Sequence, residues 1–166
     1  MKTGPVCIIS TEQETGSGAY IALEHLLKAW QSDCRTLRII APIGSSAGAV
    51  ARNKGLDHII MSNTSDKFLP NLLSCHKARR KLEDCSIVHA WHSRGFELSW
   101  LLSRELGIPS SATLHDHPDS SLLSNSRKIV LRWAAGKMDG LACVSQSAGR
   151  CWQDRLGRNT ISVIHN

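Results

Sequence analysis

The chain has 166 residues, of which 42% are hydrophobic and 20% charged, proportions that are typical of one globular domain and exclude a disordered chain. The formal net charge is +6, but the basic residues are spread along the chain without interleaved aromatic residues, which argues against a nucleic-acid-binding protein. The apolar stretches are too short for a transmembrane helix, and the first residues lack the apolar core and cleavage pattern of a signal peptide. We therefore expect a cytoplasmic protein.

Short apolar runs alternate with helical patterns along the whole chain. Leu23, Leu27 and Trp30 recur at the spacing of a helix that packs on a sheet, and Gly107 followed by Pro109 predicts a helix end. We predict seven strands, at 6–10, 36–40, 56–61, 87–91, 111–114, 141–144 and 160–164, the second of which is stopped by Ala41 and Pro42. Between them, in chain order, we predict a polar loop at 11–18 followed by a helix through 23–30, a short helix within 44–53, and helices at about 66–82, 96–106, 122–137 and 146–156. Pro70 would lie in the first turn of the helix at 66–82.

This regular alternation predicts an α/β fold. Strands separated by single helices form a mostly parallel sheet covered on both faces through right-handed crossovers. Closure into an eight-fold barrel needs about 250 residues, so we expect an open, doubly wound, Rossmann-like sheet of about seven strands in one domain, 1–166. Because the chain ends directly after an apolar strand, at His165 and Asn166, we expect this end to be a boundary between two domains.

The six cysteines are scattered and include no Cys-x-x-Cys pair, which indicates reduced structural thiols. Cys7 and Cys143 lie in apolar runs and are predicted to be core residues. The basic residues form two local clusters, one at 77–81 and one at Arg127 and Lys128. Both lie on predicted helices and are interpreted as solvated faces, with attraction to phosphorylated substrates or to anionic lipid at a membrane surface as the alternative.

The first candidate binding segment follows the first strand. Thr15, Gly16, Ser17 and Gly18 precede a helix, so backbone N–H groups and the helix N-terminus could face an anionic or hydroxyl-rich ligand. The segment is neither a G-x-G-x-x-G fingerprint nor a P-loop, and a flexible turn is the alternative reading.

The second candidate segment follows the fourth strand, where His92, Ser93 and Arg94 should lie at the rim of the sheet. Strand alternation places His89 and Trp91 on one face. We interpret His89 as a hydrogen-bonded core histidine.

The third candidate segment follows the fifth strand. His115 beside Asp116 could bind a sugar hydroxyl or act as a base, while Asp119 and Ser120 are interpreted as caps of the next helix. In the expected strand order, strands one, four and five are neighbours, so the three segments would share one cleft.

Two hydrolytic chemistries fit the sequence less well. His92, His115 and His117 with a nearby Asp could bind zinc, but Pro118 interrupts the strand and no Cys or Glu completes a recognised ligand spacing. The other is Ser–His–Asp hydrolysis, which we do not expect of this sequence.

Taken together, these segments resemble family 4 glycosyltransferases, which have the two-domain GT-B architecture. The matching pieces are Thr15-Gly16-Ser17-Gly18, Ile87-Val88-His89-Ala90-Trp91-His92, Ala112-Thr113-Leu114-His115-Asp116, Val144-Ser145 and Ile161-Ser162-Val163-Ile164-His165-Asn166. The resemblance spans essentially the whole chain, as an N-terminal domain.

The resemblance implies transfer of a sugar, with retention, from a nucleotide-sugar donor to a hydroxyl acceptor that is a glycan, a lipid-linked molecule or a small molecule. It implies no metal or other cofactor. By match to the family motifs, Gly16, Ser17 and Gly18 would approach the donor phosphates, and His115 with Asp116 would contact the donor sugar or the reacting centre.

The same resemblance assigns His92, Ser93 and Arg94 to the acceptor side. Gly-Ser-Gly at 16–18 replaces the adjacent glycines common in the family. We expect residues 1–166 not to include the family's C-terminal nucleotide-binding domain. These residues are therefore expected to be inactive alone and to need that domain in the same chain or in a partner chain.

Two other functions remain as alternatives. One is a non-enzymatic binding module, or one subunit of a split glycosyltransferase, that uses the same rim. The other is a histidine-ligated metal hydrolase.

Overall fold

The computed structural model describes residues 4–11, 17–30, 36–42, 44–61, 68–91, 95–121 and 123–164. Within these ranges seven strands form one sheet. The strands are β1 Val6–Ile9, β2 Leu37–Pro42, β3 Asp57–Met61, β4 Ile87–Ala90, β5 Ser110–Leu114, β6 Gly140–Cys143 and β7 Ser162–Val163. The helices are α1 Gly18–Trp30, α2 Ser46–Asn53, α3 Phe68–Ala78, α4 Gly95–Leu106, α5 Asn125–Lys137 and α6 Gln146–Leu156, with a short 3-10 helix, Arg79–Leu82, after α3.

The sheet is doubly wound, as the sequence predicts. Its strand order is β3-β2-β1-β4-β5-β6-β7, and the described strand pairs are parallel. The chain direction across the sheet reverses between β1 and β4, which pair through Ile9 and Ala90 at their carboxyl ends. This reversal is the switch point at which open α/β sheets place their ligands.

Helices cover both faces of the sheet because β1 is apolar on both sides. Cys7 and Ile9 pack into a core with residues of α3 and α4, whereas Val6 and Ile8 pack into a second core with residues of α1 and α2. All four are at most 7% exposed. A strand buried on both faces reads as a continuous apolar run, the pattern expected of a parallel sheet.

Local sequence signals set several helix ends. Ser145 caps α6 by accepting a hydrogen bond from the Ala148 N–H at 3.2 Å, and Gly157 ends the helix with a φ of +62°. Gly107 ends α4 in the same left-handed conformation, with a φ of +64°. Glycine adopts this conformation without the steric cost that a Cβ adds.

Several boundaries differ from prediction: the helix predicted to end at Leu82 becomes a 3-10 helix after Ala78, the last strand is confined to Ser162–Val163, and β2 and α5 differ as follows. The strand predicted to stop before Ala41 continues through Pro42, which pairs with Met61 of β3. Pairing of β2 with β1 ends earlier, at Ile40. Pro42 therefore has no partner in β1, and the N–H group that proline lacks is not needed for a hydrogen bond between these two strands. Helix α5 begins at Asn125 and not at 122.

The described cysteines are free thiols. Cys7 and Cys143 are fully buried, as predicted. Burial raises the pKa of Cys143 to about 11 and that of Cys75 to about 12. These two side chains therefore stay protonated and pack as small apolar groups.

Candidate functional site

The candidate site lies at the carboxyl ends of β1, β4 and β5. These strands are neighbours in the sheet, in agreement with the order expected from the sequence. Their registers align Ile9 with Ala90, and Ala90 with Ala112, so the segments that follow the three strands leave the sheet on the same edge.

The segment between β1 and α1 contributes a capped helix start. The Ser17 side-chain oxygen accepts a hydrogen bond from the Tyr20 N–H at 3.1 Å, and the Ser17 carbonyl accepts one from Ile21 at 3.0 Å. A Cβ added to the exposed Gly18 would meet nothing within 4 Å, so the approach to this helix N-terminus is open on the side of Gly18. Gly16 lies outside the described residues.

Trp91, directly after β4, connects this helix start to the rest of the site. Its indole N–H donates to the Ala19 carbonyl of α1 at 2.8 Å, and its ring packs against that of His115 with centroids 5.0 Å apart. Sequence reasoning placed Trp91 on the face of His89 but gave it no role. The sequence signal that could have indicated a role for Trp91 is its position directly after a strand at the switch point of the sheet. His92, Ser93 and Arg94 lie outside the described residues.

His89 is the core histidine that the sequence predicts. Its two ring nitrogens lie 2.7 Å from the Ser111 hydroxyl and 3.0 Å from the Thr113 hydroxyl of β5. Burial, and to a smaller extent the neighbouring His115, lowers the pKa of His89 to about 4. A neutral imidazole hydrogen-bonded to two hydroxyl groups ties β4 to β5 below the rim.

His115 and Asp116 follow β5, and both are partly buried. The Asp116 carbonyl accepts a hydrogen bond from the indole N–H of Trp152 in α6 at 2.9 Å. Two buried tryptophans thus hold backbone near the site: Trp91 bonds to the Ala19 carbonyl, and Trp152 bonds to the Asp116 carbonyl. The start of α1 and the His115 imidazole therefore contact a common side chain, that of Trp91.

The prediction that Asp119 and Ser120 cap the next helix is wrong. The cap of α5 is Ser124, whose side chain accepts from the Arg127 N–H at 3.3 Å. Asp119 instead pairs with Arg155 of α6 at 2.6 Å. Its N–H donates to His117 Nδ1 at 3.2 Å, so residues 117–120 form a turn that uses one His117 ring nitrogen.

Thr11, directly after Ser10 at the end of β1, is a further residue that sequence reasoning missed. Its hydroxyl is buried and has no hydrogen-bond partner among the described residues. No group of three or more His, Cys, Asp or Glu side chains is arranged to hold a metal ion in the described part of the chain.

Arg127 is not the solvated cation that the sequence predicts. Its guanidinium forms a two-point ion pair with the Glu97 carboxylate of α4, in which Arg127 Nη2 lies 3.0 Å from Glu97 Oε2. The Arg127 side chain is only 17% exposed and that of Glu97 only 8%. The cations of the cluster at 77–81, by contrast, are exposed, as predicted. None of the described helices is long and apolar enough to cross a membrane.

A cavity of about 620 Å³ lies at the opposite edge of the sheet, at the start of β6. Two of its polar lining residues, Asp139 and Arg158, bond to other groups of the protein. Asp139 accepts from the Ser110 N–H and hydroxyl at 2.8 and 3.0 Å, and Arg158 donates to the Gly136 carbonyl at 3.2 Å. These bonds brace the end of the sheet that is remote from the carboxyl-end rim.

Comparison with known proteins gives one family and a set of similar folds. The family model described as Glycosyltransferase Family 4 matches residues 17–166. The structure of HepE from Anabaena in complex with UDP-glucose superposes with a TM-score of 0.79 at 16% identity, over 98% of this chain and 43% of HepE. No curated protein matches the chain in sequence at a significant level.

Two further structures have the same fold. The lipopolysaccharide outer core galactosyltransferase WaaB superposes with a TM-score of 0.69 at 10% identity, over 98% of this chain and 45% of WaaB. MurG from Acinetobacter baumannii superposes with a TM-score of 0.64 at 12% identity, over 98% of this chain and 45% of MurG. The chain therefore spans less than half the length of these structures.

Proposed function

This chain belongs to glycosyltransferase family 4, and we propose that it is the N-terminal, acceptor-side domain of a retaining enzyme that transfers a hexose from a nucleotide sugar to a hydroxyl acceptor. The observation that carries the proposal is the contact of the α1 start with His115 through Trp91 at the switch point of the sheet. The structure of HepE, which has the same fold, holds UDP-glucose, and this supports a nucleotide sugar as the donor.

The donor side of the proposed site consists of the α1 start and the end of β5. The backbone around Gly16, Ser17 and Gly18 would approach the diphosphate, because a helix N-terminus favours negative charge. His115 would contact the donor sugar at the reacting centre, with Asp116 beside it. The partly buried imidazole has a defined orientation, since its ring packs against Trp91.

The acceptor side is proposed to include His92, Ser93 and Arg94, which follow β4 next to Trp91. In a retaining transfer the bond from the anomeric carbon to the diphosphate oxygen breaks and the acceptor oxygen takes its place on the same face of the sugar. The acceptor proton leaves with or through the departing diphosphate. We propose that this reaction uses no metal or other cofactor and takes place in the cytoplasm.

The leaving diphosphate is the reason for proposing a second domain. Negative charge develops on the leaving oxygen as the anomeric bond breaks, and N–H donors and cations must stabilise it. The start of α1 supplies part of this set. We propose that the remainder comes from a C-terminal domain, in the same chain or in a partner, and that residues 1–166 alone are inactive.

The decisive experiment assays transfer by the complete enzyme with a panel of nucleotide sugars and compares His115→Ala with a matched control. His76→Ala is that control, because His76 is an exposed histidine on α3 that pairs with Glu105 at 3.2 Å. We expect His115→Ala to lower kcat/KM by about 100-fold or more and His76→Ala to leave it unchanged, with both variants folded by circular dichroism.

Three outcomes would contradict parts of the proposal. If the complete enzyme transfers no sugar from any nucleotide sugar, the proposed activity is wrong. If His115→Ala is fully active, the proposed role of this histidine is wrong. If residues 1–166 alone transfer sugar at the full rate, the proposed need for a second domain is wrong.

A further inference from the structure

Thr11 carries a buried hydroxyl group at the carboxyl end of β1. The residue is 9% exposed, and its Oγ1 atom has no hydrogen-bond partner in the described part of the chain. Nearly all buried polar groups in proteins are hydrogen-bonded, because an unpaired one loses its bonds to water without a replacement. An exception at the ligand-binding edge of the sheet indicates that the partner of this hydroxyl is a group of the ligand.

The side chain of Thr11 lies on the α4 side of the sheet. The chain stays extended past Ile9, because the Ser10 N–H donates to the Ile40 carbonyl at 3.0 Å. Side chains alternate along an extended chain, so Thr11 lies on the side of Ile9, which packs into a core with residues of α3 and α4. Helix α4 begins in close contact with β1, since a Cβ on Gly95 would lie 2.8 Å from the Ile9 carbonyl oxygen.

His115 lies on the other side of the same sheet edge. Its ring packs against that of Trp91, and Trp91 belongs to the core that the sheet forms with α1 and α2. The backbone N–H of Trp91 donates to the Ile9 carbonyl at 3.0 Å, which fixes the end of β4 beside β1. A ligand that contacts both His115 and Thr11 therefore spans the edge of the sheet and presents two separate polar groups.

The hydroxyl of Thr11 is suited to bind another hydroxyl group. It can both donate and accept a hydrogen bond, as the hydroxyl of a sugar can, whereas an ionised diphosphate only accepts. Rotation about the Cα–Cβ bond moves the hydroxyl among staggered positions, and no hydrogen bond to a described residue holds it in one of them. It can therefore turn toward a ligand at the rim.

We propose that Thr11 is a specificity-determining residue whose hydroxyl binds a hydroxyl group of the acceptor, other than the one that reacts near His115. The acceptor is then a carbohydrate or another compound with at least two hydroxyl groups. The residues proposed for the acceptor side, 92–94, directly precede α4 in the sequence, in agreement with a contact on the α4 side. This inference rests on the proposed function.

The kinetic test uses the complete enzyme with UDP-glucose as the donor and a panel of methyl glycosides as acceptors. Thr11→Val keeps the shape of the side chain and removes the hydroxyl. We expect it to lower kcat/KM for the acceptor by about tenfold or more, mainly through KM, because a buried hydrogen bond is lost. The KM for UDP-glucose and its hydrolysis by water should not change, and Thr11→Ser, which keeps the hydroxyl, should retain most of the acceptor activity.

Urea denaturation of the 166-residue chain separates a ligand contact from a structural one. Because the unpaired hydroxyl does not stabilise the free chain, Thr11→Val should leave the urea midpoint unchanged or raise it. Thr113→Val is the matched control and should lower the midpoint, since the buried Thr113 hydroxyl lies 3.0 Å from a ring nitrogen of His89. Ser99→Ala removes another buried hydroxyl of α4 that has no partner in the described chain, and it should leave kcat/KM for the acceptor unchanged.

Three results would overturn the inference. A midpoint that falls in Thr11→Val, as in Thr113→Val, would show that the protein or a trapped water uses the hydroxyl. Unchanged acceptor kinetics would exclude the contact, and an effect confined to the KM or hydrolysis of UDP-glucose would assign Thr11 to the donor.

A binding measurement distinguishes failure of this inference from failure of the proposed function. If the complete enzyme transfers no sugar to the panel, binding of methyl α-glucoside is followed by saturation-transfer NMR. Weaker binding by Thr11→Val than by the parent protein would support the hydroxyl contact even though the transferase activity is wrong. Equal binding by the two proteins, or no binding by the parent, would overturn the contact itself.

Discussion

The ion pair between Glu97 and Arg127 yields the most quantitative prediction for the stability of this protein. Its side chains are 8% and 17% exposed, and it joins α4 to the first turn of α5. In Glu97→Ala, the Arg127 guanidinium would remain largely buried without its carboxylate. Breaking a buried pair in this way costs about 3–5 kcal/mol of the free energy of unfolding, and we expect the lower end because Arg127 retains some access to water.

The assay is urea denaturation followed by circular dichroism, with Arg155→Ala as the matched control. Arg155 pairs with Asp119, but these side chains are 49% and 55% exposed, so the loss should be about 0–1 kcal/mol. Replacement of both Glu97 and Arg127 by Met should recover most of the stability, because apolar groups of similar volume carry no desolvation penalty. The reasoning is refuted if Glu97→Ala loses no more than Arg155→Ala, or if the double variant is as unstable as Glu97→Ala.

Three further predictions concern the core around the site. Trp91→Phe removes the donor to the buried Ala19 carbonyl and should lower the free energy of unfolding by about 1–3 kcal/mol. Burial lowers the pKa of His89 from 6.5 to about 4. As the pH falls, the imidazole is therefore protonated in the unfolded chain before it is protonated in the folded protein. Stability should therefore be full above about pH 6.5 and fall by up to about 3 kcal/mol toward pH 4, a loss that His89→Gln should reduce. Gly95→Ala should cost about 1–3 kcal/mol, because its Cβ would lie 2.8 Å from the Ile9 carbonyl oxygen.

All three are measured by urea titration. Gly18→Ala is the control for Gly95→Ala, since a Cβ at Gly18 meets nothing within 4 Å. An unchanged midpoint for Trp91→Phe, a pH profile that His89→Gln leaves unaltered, or equal effects of the two glycine substitutions would each contradict the corresponding argument.

Much of the fold could be predicted from the sequence because the signals are local. Helix α6 has the predicted bounds, since Ser145 and Gly157 supply a cap and a left-handed stop at its two ends. The start of α5 could not be predicted in the same way. Several polar residues between β5 and α5 are able to cap a helix, and Ser124 does so only because residues 117–120 form a separate turn and Asp119 pairs with α6.

The sequence by itself determined the alternation of buried strands and amphipathic helices, and with it the edge of the sheet at which Ser17, His115 and Asp116 lie. Those properties depend on residue periodicity and on the rules of parallel-sheet connection. Only the tertiary structure decided which side chains bridge the segments. Trp91 bonds to Ala19 across 72 positions of the chain, and such a contact depends on how the strands are placed in space, which no local pattern encodes.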